Sequence, residues 1–306
     1  MKKLWMSALL IGAVLPLGAR TLTVQSIERV NLASDMPVTE AVISPDGAFA
    51  VVSDAASAGL SRVDLNNGAA KKITDNGSLL NLQITSDGEN VIYRQRSTNK
   101  KKLTQTALQS TNLQTGKTTE IVKATRDFNG FTLNNQDVVS VATGVPGKTK
   151  TTVRSLGDAK ATKATSVGIH RGHLVLTVNG QSTILDPQGR GSYLWPSLSP
   201  DGTKVLYYKA QKGCFVCDLD GSNVKELGYL QAAKWLDNEM VIGMEPYDDG
   251  TNITASSVIA TDLAGKKQKL TGEDVIAMYP TATVDGSKIA FTDTTGNLYI
   301  INIATK

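Results

Sequence analysis

The chain has 306 residues, of which 41% are hydrophobic and 20% charged, with a formal net charge of +4. So near a balance excludes a dedicated nucleic-acid or anionic-membrane binder, whose domain would carry a clear basic excess. Two cysteines in the whole chain exclude a disulfide framework, so a packed apolar core has to hold the fold.

Lys2 and Lys3 precede an uncharged run from Leu4 to Leu17 that ends in Gly18-Ala19, the pattern of a secretory signal peptide. The run is short for a membrane span, which needs ~20 apolar residues, and no later stretch approaches that length. Residues 1–19 are therefore expected to be a leader. Residues 20–306 are expected to form one domain in the periplasm or outside the cell, with no transmembrane segment after cleavage.

The remainder repeats. Ser44-Pro45-Asp46-Gly47 leads into Ala-Phe-Ala-Val-Val52, Trp195-Pro-Ser-Leu-Ser-Pro-Asp-Gly202 into Thr-Lys-Val-Leu-Tyr-Tyr208, and Tyr279-Pro-Thr-Ala-Thr-Val-Asp-Gly286 into Ser-Lys-Ile-Ala-Phe-Thr292. Ser, Pro, Asp and Gly suit the four positions of a type I turn, with Gly free to take positive φ before the next strand. Weaker copies place the glycine slot at Gly88, Asn135, Gly172 and Asn238, Asn being tolerant of the left-handed region. A second set of turns, at Gly68, Gly116, Gly221 and Gly265 and more loosely at Gly157 and Gly189, follows each hairpin. Units of roughly forty residues with four strands each, and no helical period, spell an all-β fold, a β-propeller of four-stranded antiparallel blades. Seven blades are expected, or six if His173–Pro187 joins the preceding unit. The last unit stops one strand short, and residues 21–31 supply a spare, so the N-terminal strand is expected to close the ring and leave no free edge.

The Ser-Pro-Asp-Gly turns with the following Lys-Val-Leu-Tyr-Tyr and Lys-Ile-Ala-Phe resemble the repeats of the TolB family, which also form the non-catalytic propellers of prolyl oligopeptidase-type enzymes. The resemblance implies architecture rather than activity. It departs from TolB in lacking an N-terminal α/β domain and in counting seven units against six, and no hydrolase domain follows.

Chemistry-bearing motifs are few. His170 and His173 flank a tight turn with no carboxylate near them in sequence, and no Gly-x-Ser-x-Gly elbow exists, so neither a metal site nor a serine triad is expected. Cys214 and Cys217 are read as structural, because positions three apart on a strand face opposite ways. The basic run Arg94, Arg96, Lys100, Lys101 and Lys102 is read as a solvated hairpin tip. No cofactor is implied.

Loop lengths place the candidate site on the face opposite the Asp-Gly turns, called here the top face. The long hairpin tips there are basic at Arg96 and acidic at Glu245, Tyr247, Asp248 and Asp249, and the aromatics Trp195, Tyr229 and Tyr279 stand where the chain enters the inner strands. Rigid aromatics beside a funnel suit sugar rings or peptide side chains. The expected function is non-catalytic binding or scaffolding of an envelope or extracellular protein or a glycan. The alternative is a carbohydrate-active lyase or hydrolase with its site in the central funnel.

Overall fold

The structure is a computed structural model and describes residues 20–33, 36–54, 59–145, 147–157 and 165–304. The expected leader, residues 1–19, lies outside the described residues. The described chain forms twenty-six strands in seven antiparallel sheets, with no helix. A strand β1 (Val24–Arg29) precedes blade one, which holds β2 (Val38–Ile43), β3 (Phe49–Asp54), β4 (Leu60–Asp64) and β5 (Ala70–Thr74). Blade two holds β6 (Ser78–Ile84), β7 (Asn90–Thr98), β8 (Thr104–Asn112) and β9 (Thr118–Thr125). Blade three holds β10 (Phe128–Leu133), β11 (Val138–Val145) and β12 (Lys148–Ser155), and blade four β13 (Thr165–His170), β14 (His173–Val178) and β15 (Gln181–Ile184). Blade five is β16 (Tyr193–Leu198), β17 (Lys204–Lys209), β18 (Gly213–Asp218) and β19 (Lys225–Gly228). Blade six is β20 (Gln231–Trp235), β21 (Met240–Asp248), β22 (Ile253–Asp262) and β23 (Lys267–Lys269), and blade seven begins with β24 (Ala277–Ala282), β25 (Lys288–Asp293) and β26 (Leu298–Ile303).

The fold is thus a seven-bladed β-propeller, and its ring closes as the spare strand requires. β1 pairs antiparallel with β26, in the register Ser26↔Asn302, Ile27↔Ile301 and Glu28↔Ile300, so blade seven reads β1-β26-β25-β24. Leu22, just before β1, is buried with Leu270, Phe291 and Ile301, and Val30, just after it, with Val38, Ala290 and Leu298. The core as a whole is a ring of such clusters between neighbouring blades, because every sheet is covered on both faces.

The turns that defined the repeat are built as their chemistry dictates. Gly47 sits at φ 70°, its N–H bonded to the Ser44 carbonyl, while Asp46 accepts from the Ser44 hydroxyl and the Ala48 N–H, and Ser44 Oγ accepts from the Phe49 N–H. The same network recurs around Asp87, Asp201 and Asp285. Two weaker slots fall elsewhere. In blade three the left-handed residue is Asp137, at φ 56°, and not Asn135, because the turn is closed by Asp137 N–H on the Asn134 carbonyl. Asn238 has no positive φ; that turn is held by Leu236 and Asp237 N–H groups on the Met240 carbonyl.

Blades three and four depart from four strands. Residues 158–164, after β12, lie outside the described residues, and the eight positions after β15 carry no strand, so the Gly189 turn leads into no fourth strand. β13 also runs against β10. Gly130 and Gly168 meet backbone to backbone, and the His170 ring reaches Asn129, at the end of β10 far from its Asn134–Asp137 turn. The His170–His173 turn is therefore on the top face, opposite the other inner hairpin turns. His170 is buried there, its Nδ1 2.8 Å from Asn129 Oδ1.

Candidate functional site

The two longest hairpins are β7–β8 and β21–β22, as the loop lengths foretold. Their tips remain separate, with no hydrogen bond or ion pair between Arg96 and the acidic tip among the described residues. Glu245 is tied back to the blade, its Oε1 2.6 Å from Lys267 Nζ, which also donates to the Tyr229 carbonyl at 2.9 Å. Tyr229 OH accepts from Gln231 Nε2. Asp249 accepts from the Thr251 and Asn252 N–H groups and Asp248 from that of Gly250, so these carboxylates shape their own turn. Tyr247 stands 61% exposed beside them.

Trp195 and Tyr279 have a common origin in the inner strands. Each interrupted pairing of an inner strand with its neighbour carries a bulge, and Asn81, Trp195, Ala232 and Tyr279, all four residues before the turn's first position, have φ of 59°, 48°, 48° and 50°. A bulge of this kind re-aims a side chain at the price of local strain. Trp195 packs edge-on against Tyr208 at 5.6 Å. Tyr279 packs with Met244 and Met278, its N–H on Met244 Sδ.

The bulge turns Tyr279 toward a group of charges in the channel that the sequence did not bring together. Glu40 on β2 and Lys234 on β20 are close enough to act on each other electrostatically. Burial raises the Glu40 carboxyl above its ordinary range, which Lys234 partly offsets. Burial lowers the Lys234 ammonium, with Glu40 opposing and Arg94 reinforcing that shift. Burial, then Glu40, raises the Tyr279 phenol. Arg94, on β7, is not part of a solvated tip: its guanidinium stacks 5.0 Å over Phe128 and 5.8 Å over Phe131. Only the Arg96–Lys102 part of that basic run is exposed along its length, apart from Asn99.

Below this group, on the face of the Asp-Gly turns, the channel opens into a cavity of about 1090 Å³. Asn81, Gln83, Phe131, Ser197, Trp235 and Val284 are among its lining. Val284 is 76% exposed at its rim. Phe131 belongs to this wall and also lies beside the Arg94 guanidinium, so one ring links the cavity lining to Arg94. Among the described residues, no three His, Cys, Asp or Glu side chains gather as metal ligands would, and no helix is long and apolar enough to cross a membrane.

Cys214 and Cys217 are free, buried and on opposite faces of β18: Cys214 packs with Leu206 and Leu230, Cys217 with Val205 and Tyr207. Burial pushes both thiols up to about 12. The native protein is therefore expected to leave a thiol-specific disulfide reagent unconsumed at pH 8 and to consume two equivalents once unfolded. Rapid reaction of either thiol in the native state would contradict this placement.

No family model and no curated protein sequence matches the chain. Among solved structures, oligogalacturonate lyase from Vibrio parahaemolyticus is similar at 12% identity and a TM-score of 0.50, over 92% of this chain and 96% of that one. The β-propeller domain of the Trilobed protease from Pyrococcus furiosus, described as having an open velcro topology, is similar at 13% identity and a TM-score of 0.57, over 87% of this chain and 95% of that one. At such identities the likeness is one of fold. Both are consistent with the propeller class defined above.

Proposed function

We propose that this is an exported propeller of TolB-type repeats that binds a ligand from the cell envelope or its surroundings, a glycan or a protein segment, in its central channel. The observation that carries the reading is the cavity of about 1090 Å³ with mixed apolar and amide lining, of the size and character of ligand sites. The leader-like pattern of residues 1–19 supports export, and the Ser-Pro-Asp-Gly turns support the repeat lineage. The top-face tips contribute a weaker case, since Glu245, Asp248 and Asp249 already have partners within the blade.

A second reading, a carbohydrate-active lyase or hydrolase, is favoured by one observation: an acid, a lysine, an arginine and a tyrosine lie within electrostatic reach of one another, the kinds of group that acid–base work on a sugar needs. The similar fold of an oligogalacturonate lyase adds acidic oligosaccharides to the substrates worth trying.

The test is a binding screen of envelope and extracellular glycans and peptides, repeated with Val284→Trp, which obstructs the cavity rim at an exposed position, and with Tyr247→Ala on the top face. At unchanged melting temperature, V284W is expected to weaken capture at least about tenfold and Y247A to leave it intact. The reverse pattern would move the site to the top face. Turnover of a bound oligosaccharide, lost in Glu40→Gln or Tyr279→Phe, would establish the second reading in place of the first.

A further inference from the structure

We propose that Arg94 is the anchor of a carboxylate-binding site at the inner end of the channel, taking the acid group of a small organic acid. The inference deepens the channel-binding reading and rests on it.

Arg94 is a guanidinium built in and left unsatisfied. Its Nε is buried with no hydrogen-bond partner, and the side chain donates no hydrogen bond and makes no ion pair among the described residues. A guanidinium offers five N–H donors and is always charged. Burying one without a counter-charge is costly, and interiors seldom do so. Its charged neighbours make matters worse: Arg96 and Lys234 are both cations. The acid in the group, Glu40, is set against Lys234. Arg94, Arg96 and Lys234 thus share one carboxylate, leaving an excess of positive charge for a ligand to offset.

The geometry selects the kind of anion. The Arg94 guanidinium carbon lies 5.0 Å from the Phe128 ring centroid and 5.8 Å from that of Phe131, and the two rings supply no hydrogen-bond acceptor of the strength a guanidinium takes, so the N–H groups along its planar edge are left for a ligand. A carboxylate is planar and accepts two parallel N–H bonds from such an edge. Its negative charge offsets part of the positive excess. The Tyr279 phenol, kept protonated by burial and by Glu40, is a neutral donor in the same group, and the cavity beyond Phe131 has room for the rest of the molecule.

The experiment is calorimetric titration in chloride-free buffer with D-glucuronate, lactate, D-glucose and chloride, on the wild type, R94Q, R94K and V284W. Wild type is expected to bind at least one of the two acids and neither glucose nor chloride comparably. A preference for glucuronate marks a sugar acid, a preference for lactate an aliphatic one. R94Q is expected to lose at least about tenfold in affinity with an unchanged circular dichroism spectrum. R94K keeps the charge without the planar fork and is expected to fall between, so that the assignment stays testable should R94Q not fold. Binding that V284W blocks but R94Q and R94K leave intact would overturn the Arg94 assignment while sparing the channel. Acid binding untouched by all three variants would remove the channel reading as well. Equal response to chloride, or no response to either acid, would overturn the carboxylate site.

Discussion

Deleting residues 20–32 is expected to abolish cooperative folding rather than trim a tail. The segment contributes the whole outer strand of blade seven, and it carries Leu22 and Val30, 5% and 9% exposed, into two different inter-blade clusters. Losing the burial of two such side chains costs roughly 1.5–3 kcal/mol each. The ladder from Val24↔Ile303 to Arg29↔Tyr299 is lost with them, against a typical total stability of only about 5–15 kcal/mol. The bared edge of β26 then invites pairing with other molecules. Thermal melting by circular dichroism should show a broad, depressed transition, and size exclusion should show soluble aggregate. A truncated chain that stays monomeric with the wild-type melting temperature would refute the closure argument.

The second large effect is expected at Gly168→Ala. A Cβ there would lie 2.0 Å from the Asn129 carbonyl oxygen and 2.9 Å from Gly130 Cα, and a Cβ at Gly130 would in turn meet the Val167 carbonyl at 2.4 Å. Both obstacles are backbone, with no flexible side chain to swing away. Blades three and four would have to separate, at about 3 kcal/mol or more, the upper end of what overpacking costs. Gly157→Ala is the control, since its neighbours begin at 3.6 Å and its φ is not left-handed. Denaturant melts should separate the two variants clearly. Equal stability would mean that the seam is loose enough to absorb a methyl group.

What the sequence made legible was local. Ser44, Asp46 and Gly47 specify their turn within four residues, and three good copies set the period of the whole ring. The missing last strand then forced the closure by β1. Where a turn carries no glycine, the reading slipped, to Asn135 in place of Asp137 and onto Asn238. The direction of β13 was illegible because it is fixed by contacts between Gly130 and Gly168 and between Asn129 and His170, far apart in the chain. Arg94 was hidden for the same reason. In sequence it begins a basic run, whereas in the fold Phe128 and Phe131 cover it from the next blade and Lys234 faces it from blade six. Tyr279 was singled out because an aromatic beside the turn signature is visible locally, whereas its electrostatic neighbour Glu40 was not.

The reversed hairpin of blade four has a consequence for how this ring can change. A blade of four strands returns the chain to the face it started from, and a blade of three delivers it to the other. β12 ends on the Asp-Gly face, where Leu156 bonds the Asp137 carbonyl, β13 rises from there, and the third strand of blade four brings the chain back in time for β16 to descend like the rest. The two irregular blades are thus a matched pair whose reversals cancel. An insertion or deletion that restored a fourth strand to one of them alone would send every later blade in upside down and carry β26 away from β1, so the two are bound to be gained or lost together.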